Sequence, residues 1–209
     1  ETSVWDVSFL IGETMTTRVG ALALQGDFDA HLKVVSDLGA HTRAVRKPEQ
    51  LDEIDALIIP GGESTTLIKL MDAYDFWEPL REFAGRGHVF GTCAGLILVA
   101  EEVINPAQRS LGLIDVTVER NSYGRQRESF ESVGDFADEQ ATGQAESRRI
   151  PMVFIRAPRI QRLGSDVRPL ATHGQDTVMA RSDHVMVATF HPELSKDRFV
   201  HQYFLDMVD

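Results

Sequence analysis

Three short strand-like segments, each followed by residues repeating at helical spacing, constrain this chain more than any other feature of its sequence. Val19–Leu24 is a continuous apolar run, and Ala56–Ile59 and His88–Gly91 are similar in length. Apolar runs without polar alternation fit parallel strands covered on both faces. After the first, Leu32, Val35 and Leu38 recur at helical spacing until Gly39. After the second come Leu67, Leu70, Met71 and Tyr74, then Trp77, Leu80 and Phe83, ending near Gly85–Gly87. Ala94–Glu102 reads as a helix after the third. Asp27 can cap the first helix, and Ser64 or Thr65 the second. Thr42–Val45 reads as a short strand between. This alternation predicts an α/β fold, an open and mostly parallel sheet with helices on both faces.

The second half is richer in strands: Val116–Glu119, Met152–Arg156, Thr177–Ala180 and Val185–Phe190. An amphipathic helix through Phe199, Tyr203, Phe204 and Met207 closes the chain. The acidic stretch 132–149 reads as a mobile loop. Residues 1–17 show no periodicity and read as a disordered extension. Residues 18–209 then form a single domain.

Charge and cysteine content exclude several functions. Lys and Arg number 21 against 32 Asp and Glu, a net charge of −11. An acidic surface argues against nucleic acid and against anionic membranes. With 1 cysteine the chain has no internal disulfide framework and no Cys-rich zinc site. No apolar run approaches the ~20 residues of a spanning helix. Nor does the start of the chain resemble a signal peptide, so the expected location is cytoplasmic.

Cys93 lies in Gly91-Thr92-Cys93-Ala94-Gly95, between a predicted strand and a predicted helix. Small flanking residues permit the tight turn that exposes a nucleophile. The helix that follows favours an anion at its N-terminus. The alternative is a buried small hydrophobe. A cysteine nucleophile needs a base. His31, His41, His88 and His201 lie within or beside predicted elements without a suitably placed carboxylate, and His173 and His184 read as loop residues. His191 follows a strand and begins His191-Pro192-Glu193. On extended backbone, residues i and i+2 share a face, so Glu193 can orient the imidazole. An ordinary surface loop is the alternative. Pro60-Gly61-Gly62-Glu63-Ser64 is a strand-to-helix turn whose free N–H groups could meet an oxyanion, or simply a turn. Gln25 ends the first strand at the same sheet edge. Arg120, in a dense polar segment, and Arg156, closing an apolar run, call for anionic partners or structural ion pairs.

Together these strings resemble the class I, triad-type glutamine amidotransferases. Leu24-Gln25-Gly26, Pro60–Thr66, Phe90–Gly95, Val118–Gln126, Phe154–Pro158 and Phe190–Leu194 look like the branch formed by glutaminase subunits of pyridoxal 5′-phosphate synthases. The resemblance runs from about Val19 to the C-terminus. It implies Cys93 as nucleophile, His191 as general base and Glu193 as its orienting group. Gly62, Glu63, Ser64, Arg120, Ile155 and Arg156 would hold glutamine. The N–H groups of Gly62 and Ala94 would form an oxyanion hole organised by Gln25. It further implies a (β/α)8-barrel synthase subunit as partner, taking up ammonia for vitamin B6 synthesis. No cofactor or metal is expected on this chain. The competing readings are a stand-alone cysteine amidase or peptidase of the same α/β group and a catalytically inert binding subunit.

Overall fold

The computed structural model describes residues 17–120, 129–138 and 148–208. The expectations for residues 1–16 and for 139–147 lie outside these residues, as do positions 121–126 of the dense polar segment. The first half alternates strand and helix. β1 (Arg18–Leu22) leads to α1 (Phe28–Asp37), β2 (His41–Val45), a 3-10 turn (Pro48–Glu53) and β3 (Ala56–Ile59). Then come α2 (Ser64–Ala73), α3 (Trp77–Ala84), β4 (His88–Thr92) and α4 (Ala94–Val99). The second half contributes β5 (Ala100–Ile104), β6 (Ile114–Glu119), β7 (Ser129–Phe136), β8 (Arg148–Ile155) and β9 (Arg159–Leu163). β10 (Arg168–His173), β11 (Asp176–Arg181), β12 (Val185–Ala188), a 3-10 turn (Pro192–Leu194) and α5 (Phe199–Val208) complete it.

Nine strands form one sheet in the order β2-β1-β3-β4-β12-β11-β10-β7-β8. The first five run parallel, and the pairings from β12 to β8 are antiparallel. β5, β6 and β9 make a separate small sheet. The parallel strands are buried on both faces because alternate residues enter different cores. Leu57 and Ile59 of β3 join the core under α2, α3 and α4, with Leu67, Met71 and Phe83. Ala56 and Ile58 join the other, with Val35 of α1 and Phe204 of α5. Among the described residues no helix is long and apolar enough to cross a membrane.

Several local expectations need correction. The helix expected over Ala94–Glu102 stops at Val99, and β5 begins at Ala100. Ala100 and Val103 are buried there while Glu101 and Glu102 are exposed. β5 also gains backbone pairing with β6, which a further turn of helix would forgo. The acidic stretch is not all loop: Glu131 to Phe136 belong to β7, which pairs with β8 from Arg148 onward. Glu131, Val133 and Asp135 face solvent while Gly134 and Phe136 are buried, so the acids decorate the outer face of a hairpin. β9 and β10 were also not foreseen, and His173 closes β10 rather than sitting in a loop. Glu63, not Ser64 or Thr65, caps α2, its carboxylate accepting from the N–H groups of Thr65 and Thr66. Asp27 stands at the N-cap of α1 but makes no side-chain capping bond. Tyr74 follows α2 as an exposed C-cap instead of extending its apolar face.

Candidate active site

Four chain segments leave the carboxyl ends of adjacent parallel strands and converge, as ligand sites in α/β sheets do. Gln25 follows β1, Gly61-Gly62 follow β3, Cys93 follows β4 and His191 follows β12. Cys93 has φ 48° and ψ −104°, a conformation that costs a side-chain-bearing residue free energy. The turn is held on both sides, by Cys93 N–H donating to Ala188 O at 2.9 Å and Ile97 N–H donating to Cys93 O at 3.2 Å. It also depends on Gly95, where a Cβ would lie 1.9 Å from the carbonyl oxygen of Ile59. Cys93 Sγ lies 3.8 Å from Ile155 O, within reach of a weak S–H donor.

His191 Nδ1 lies 2.8 Å from Glu193 Oε1, and both residues are buried. The pairing comes about differently from the expected extended backbone: Pro192–Leu194 form a 3-10 turn that folds the carboxylate back under the ring. Burial works against a charge on His191, but hydrogen bonds with Cys93 and Glu193, and their charges, outweigh it and hold the imidazole up to about 10. The backbone N–H of His191 donates to Val153 O at 2.8 Å, tying this segment to β8.

Cys93 and His191 open onto a cavity of about 360 Å³. Its walls include Gln25, Gly62, Glu63, Ser64, Arg120, Ile155, Arg156 and Glu193, each expected at the site. Ala94 does not line it; it is 1% exposed at the first position of α4. Gln25 braces the glycine turn, its Oε1 accepting from Glu63 N–H at 2.9 Å. A Cβ on Gly62 would meet that same amide oxygen at 2.3 Å. Glu63 turns its carboxylate onto the α2 cap, where Thr65 and Thr66 pull it down to about 2 despite the opposing cost of burial. Ser64 Oγ donates to Gln108 Oε1 at 3.1 Å. Arg156 sits at φ 43° at the end of β8. Among the described residues neither Arg120 nor Arg156 has a carboxylate partner, and both line the cavity.

Sequence reasoning missed residues both in front of and behind this cluster. Asp27, Ile97 and Leu194 also line the cavity. His31, set aside for want of a carboxylate, has Nε2 3.2 Å from Glu193 Oε2. His201 lies behind it, 2.9 Å from His31 Nδ1. The one signal for His31 was a histidine at a position of α1 that faces the core, which on its own reads as packing.

A thiol on a strained strand-to-helix turn, with a carboxylate-oriented imidazole from a neighbouring strand end, defines a cysteine-hydrolase type of site on an α/β sheet. The chain belongs to the SNO glutamine amidotransferase family, which it matches over residues 21–209. It is 46% identical over 192 residues to the pyridoxal 5′-phosphate synthase subunit PdxT of Thermosipho africanus, covering 91% of this chain and 98% of that protein. It is 49% identical over 195 residues to the protein of the same name from a Geobacillus strain, covering 91% and 96%. A crystal structure of a glutamine amidotransferase superposes with a TM-score of 0.81 at 43% identity, covering 91% of this chain and 98% of that one.

Proposed function

We propose that this chain hydrolyses L-glutamine to L-glutamate and ammonia through a Cys93 thioester, and passes the ammonia to a synthase subunit that makes pyridoxal 5′-phosphate. The observation that carries this reading is the joining of Cys93, at its positive-φ turn, to the buried His191–Glu193 pair in one cavity also lined by Arg120 and Arg156. Free glutamine offers an α-carboxylate to Arg120 or Arg156, whereas a glutamine within a peptide does not. Gly62, Glu63, Ser64 and Ile155 shape the rest of the pocket; with the Glu63 carboxylate committed to its cap, its contribution falls to the backbone.

The Cys93 thiolate attacks the side-chain amide carbon. Charge on the carbonyl oxygen is met by the N–H groups of Gly62 and of Ala94 at the start of α4, while Gln25 braces the glycine turn by accepting from the N–H of Glu63. Protonated His191 gives its proton to the departing ammonia. The neutral imidazole then takes a proton from water as that water attacks the thioester, releasing glutamate and the thiol. Glu193 holds the ring in the tautomer both steps require. Ammonia is useful to a synthase only if it stays unprotonated, which favours a sheltered route into a partner, here a (β/α)8-barrel subunit in a cytoplasmic hetero-oligomer. The test is steady-state glutamate release across a titration with the synthase subunit. A large rise on adding the partner is expected. A rate already maximal without it would favour the stand-alone amidase.

A further inference from the structure

Glu193 has two carboxylate oxygens, and the triad uses one. Oε1 is taken by His191. Oε2 is buried, on a side chain 0% exposed, and among the described residues it has no hydrogen bond, yet the ring nitrogen Nε2 of His31 stands 3.2 Å away. A buried carboxylate oxygen left without a donor is costly. We propose that His31 is a positioning residue for the reaction: as a neutral imidazole it donates Nε2–H to Oε2 of Glu193, and His201 fixes the tautomer that lets it do so. This rests on the glutaminase reading given above.

The proton can be placed by following the chain of contacts. A bare lone pair on Nε2 would repel a carboxylate oxygen at that distance, so the hydrogen is on Nε2 and Nδ1 is an acceptor. Nδ1 lies 2.9 Å from His201 Nε2, which must then be the donor. That leaves Nδ1 of His201 as a bare acceptor, and it is a buried ring nitrogen that has no partner among the described residues. Running the chain in the opposite direction would strand an N–H there and face a lone pair toward the carboxylate. Thr92 Oγ1, 3.3 Å from His31 Nε2, shares the same proton and belongs to the residue before the nucleophile.

The surroundings favour neutral rings. His31 packs against the edge of Phe90, as does His201. Burial, then the neighbouring His201 and His191, keep His31 well below the ordinary histidine range. Burial, then Arg198, brings His201 to about 4. Glu193 is thus gripped at both oxygens, between α1 and its own turn. It cannot rotate away from His191 as the imidazole gains and loses its proton.

The experiment compares His31→Leu, His31→Gln and His201→Leu with wild type, with the synthase subunit saturating. His31→Leu removes the donor. The kcat for glutamine should fall about tenfold or more, with KM within about twofold, because the contact is to the catalytic apparatus and not to substrate. His31→Gln can place an amide N–H near the same point and should recover most of the loss. His201→Leu leaves His31 present with its tautomer unfixed and should give a smaller fall in kcat at unchanged KM. A folded His31→Leu enzyme with wild-type kcat overturns the proposal, as does His31→Gln being equally slow. Should His31→Leu not fold, His201→Leu decides: a loss confined to kcat supports the relay, and wild-type kcat overturns it. Wild type lacking glutamine turnover with partner would instead count against the proposed function.

Discussion

The two halves of the nine-stranded sheet build the site in different ways. In the parallel half, β3 and β12 are buried at every position and β1 and β4 nearly so. The residues emerging from these strands, Cys93 and His191, are buried and locked by backbone bonds. In the antiparallel half, β7 alternates between exposed and covered positions, and β8 delivers Ile155 and the exposed Arg156 to the cavity. Rigid backbone, tolerating no added atoms, carries the chemistry. A strand with one face near solvent carries the group suited to reading substrate. Precision of about half an ångström is needed for the first task and a correctly signed charge for the second.

That division can be broken by experiment. The largest effect belongs to the parallel half: Cys93→Ala should reduce glutaminase turnover by about four orders of magnitude or more while leaving the circular dichroism spectrum and melting temperature close to wild type. Residual turnover near the wild-type rate would remove the thioester from the mechanism. Gly95→Ala should cost about 3 kcal/mol of stability, read as a shift in urea midpoint, because its Cβ would meet a carbonyl oxygen at 1.9 Å. An unchanged midpoint would show that the parallel half is softer than its packing indicates.

Arg156→Ala tests the antiparallel half. It should raise KM for glutamine by about tenfold, with kcat changed far less, if the guanidinium binds ground and transition states alike. A kcat loss comparable to that of a triad variant would erase the distinction between the two halves. The smallest effect concerns Glu63, at the seam of turn and helix. Its carboxyl is held at about 2 against 4.5 in an open chain. The stabilisation it gives is therefore complete above about pH 4.5 and is lost as pH falls toward 2. Glu63→Gln should lower stability by about 1 kcal/mol near neutrality, with the gap to wild type narrowing between about pH 4.5 and 2. A gap independent of pH would show that the cap's charge does not contribute.

How much of this was legible in the sequence follows the same division. The β1, β3 and β4 segments declared themselves as short apolar or strand-length runs, and the residues leaving them sit in short strings whose chemistry is local: a thiol between glycines, a histidine two residues from a glutamate. Of the β7–β8 hairpin only the Met152–Arg156 part of β8 was legible; β7 was not, because its covered positions include Gly134 and half-buried Ser132 and its outer face is acidic, so its alternation carries little hydrophobic contrast. β5 was hidden by helix-forming Glu101 and Glu102. His31 and Glu193 are brought together only by the packing of α1 against the turn after β12, and no spacing rule connects positions so far apart.

Cys93 is also the chain's 1 cysteine, and its side chain lies on the wall of the cavity with 6% of its surface exposed. The protein thus carries its own stoichiometric label. One equivalent of a thiol-selective reagent consumed per chain counts active sites directly, undisturbed by background from other thiols. Protection by glutamine reports occupancy of the pocket, and the alkylation rate reports how open its mouth is. The same solitude leaves the thiol without a neighbouring cysteine in the chain to rescue it, so oxidation beyond the sulfenic acid would silence a molecule for good.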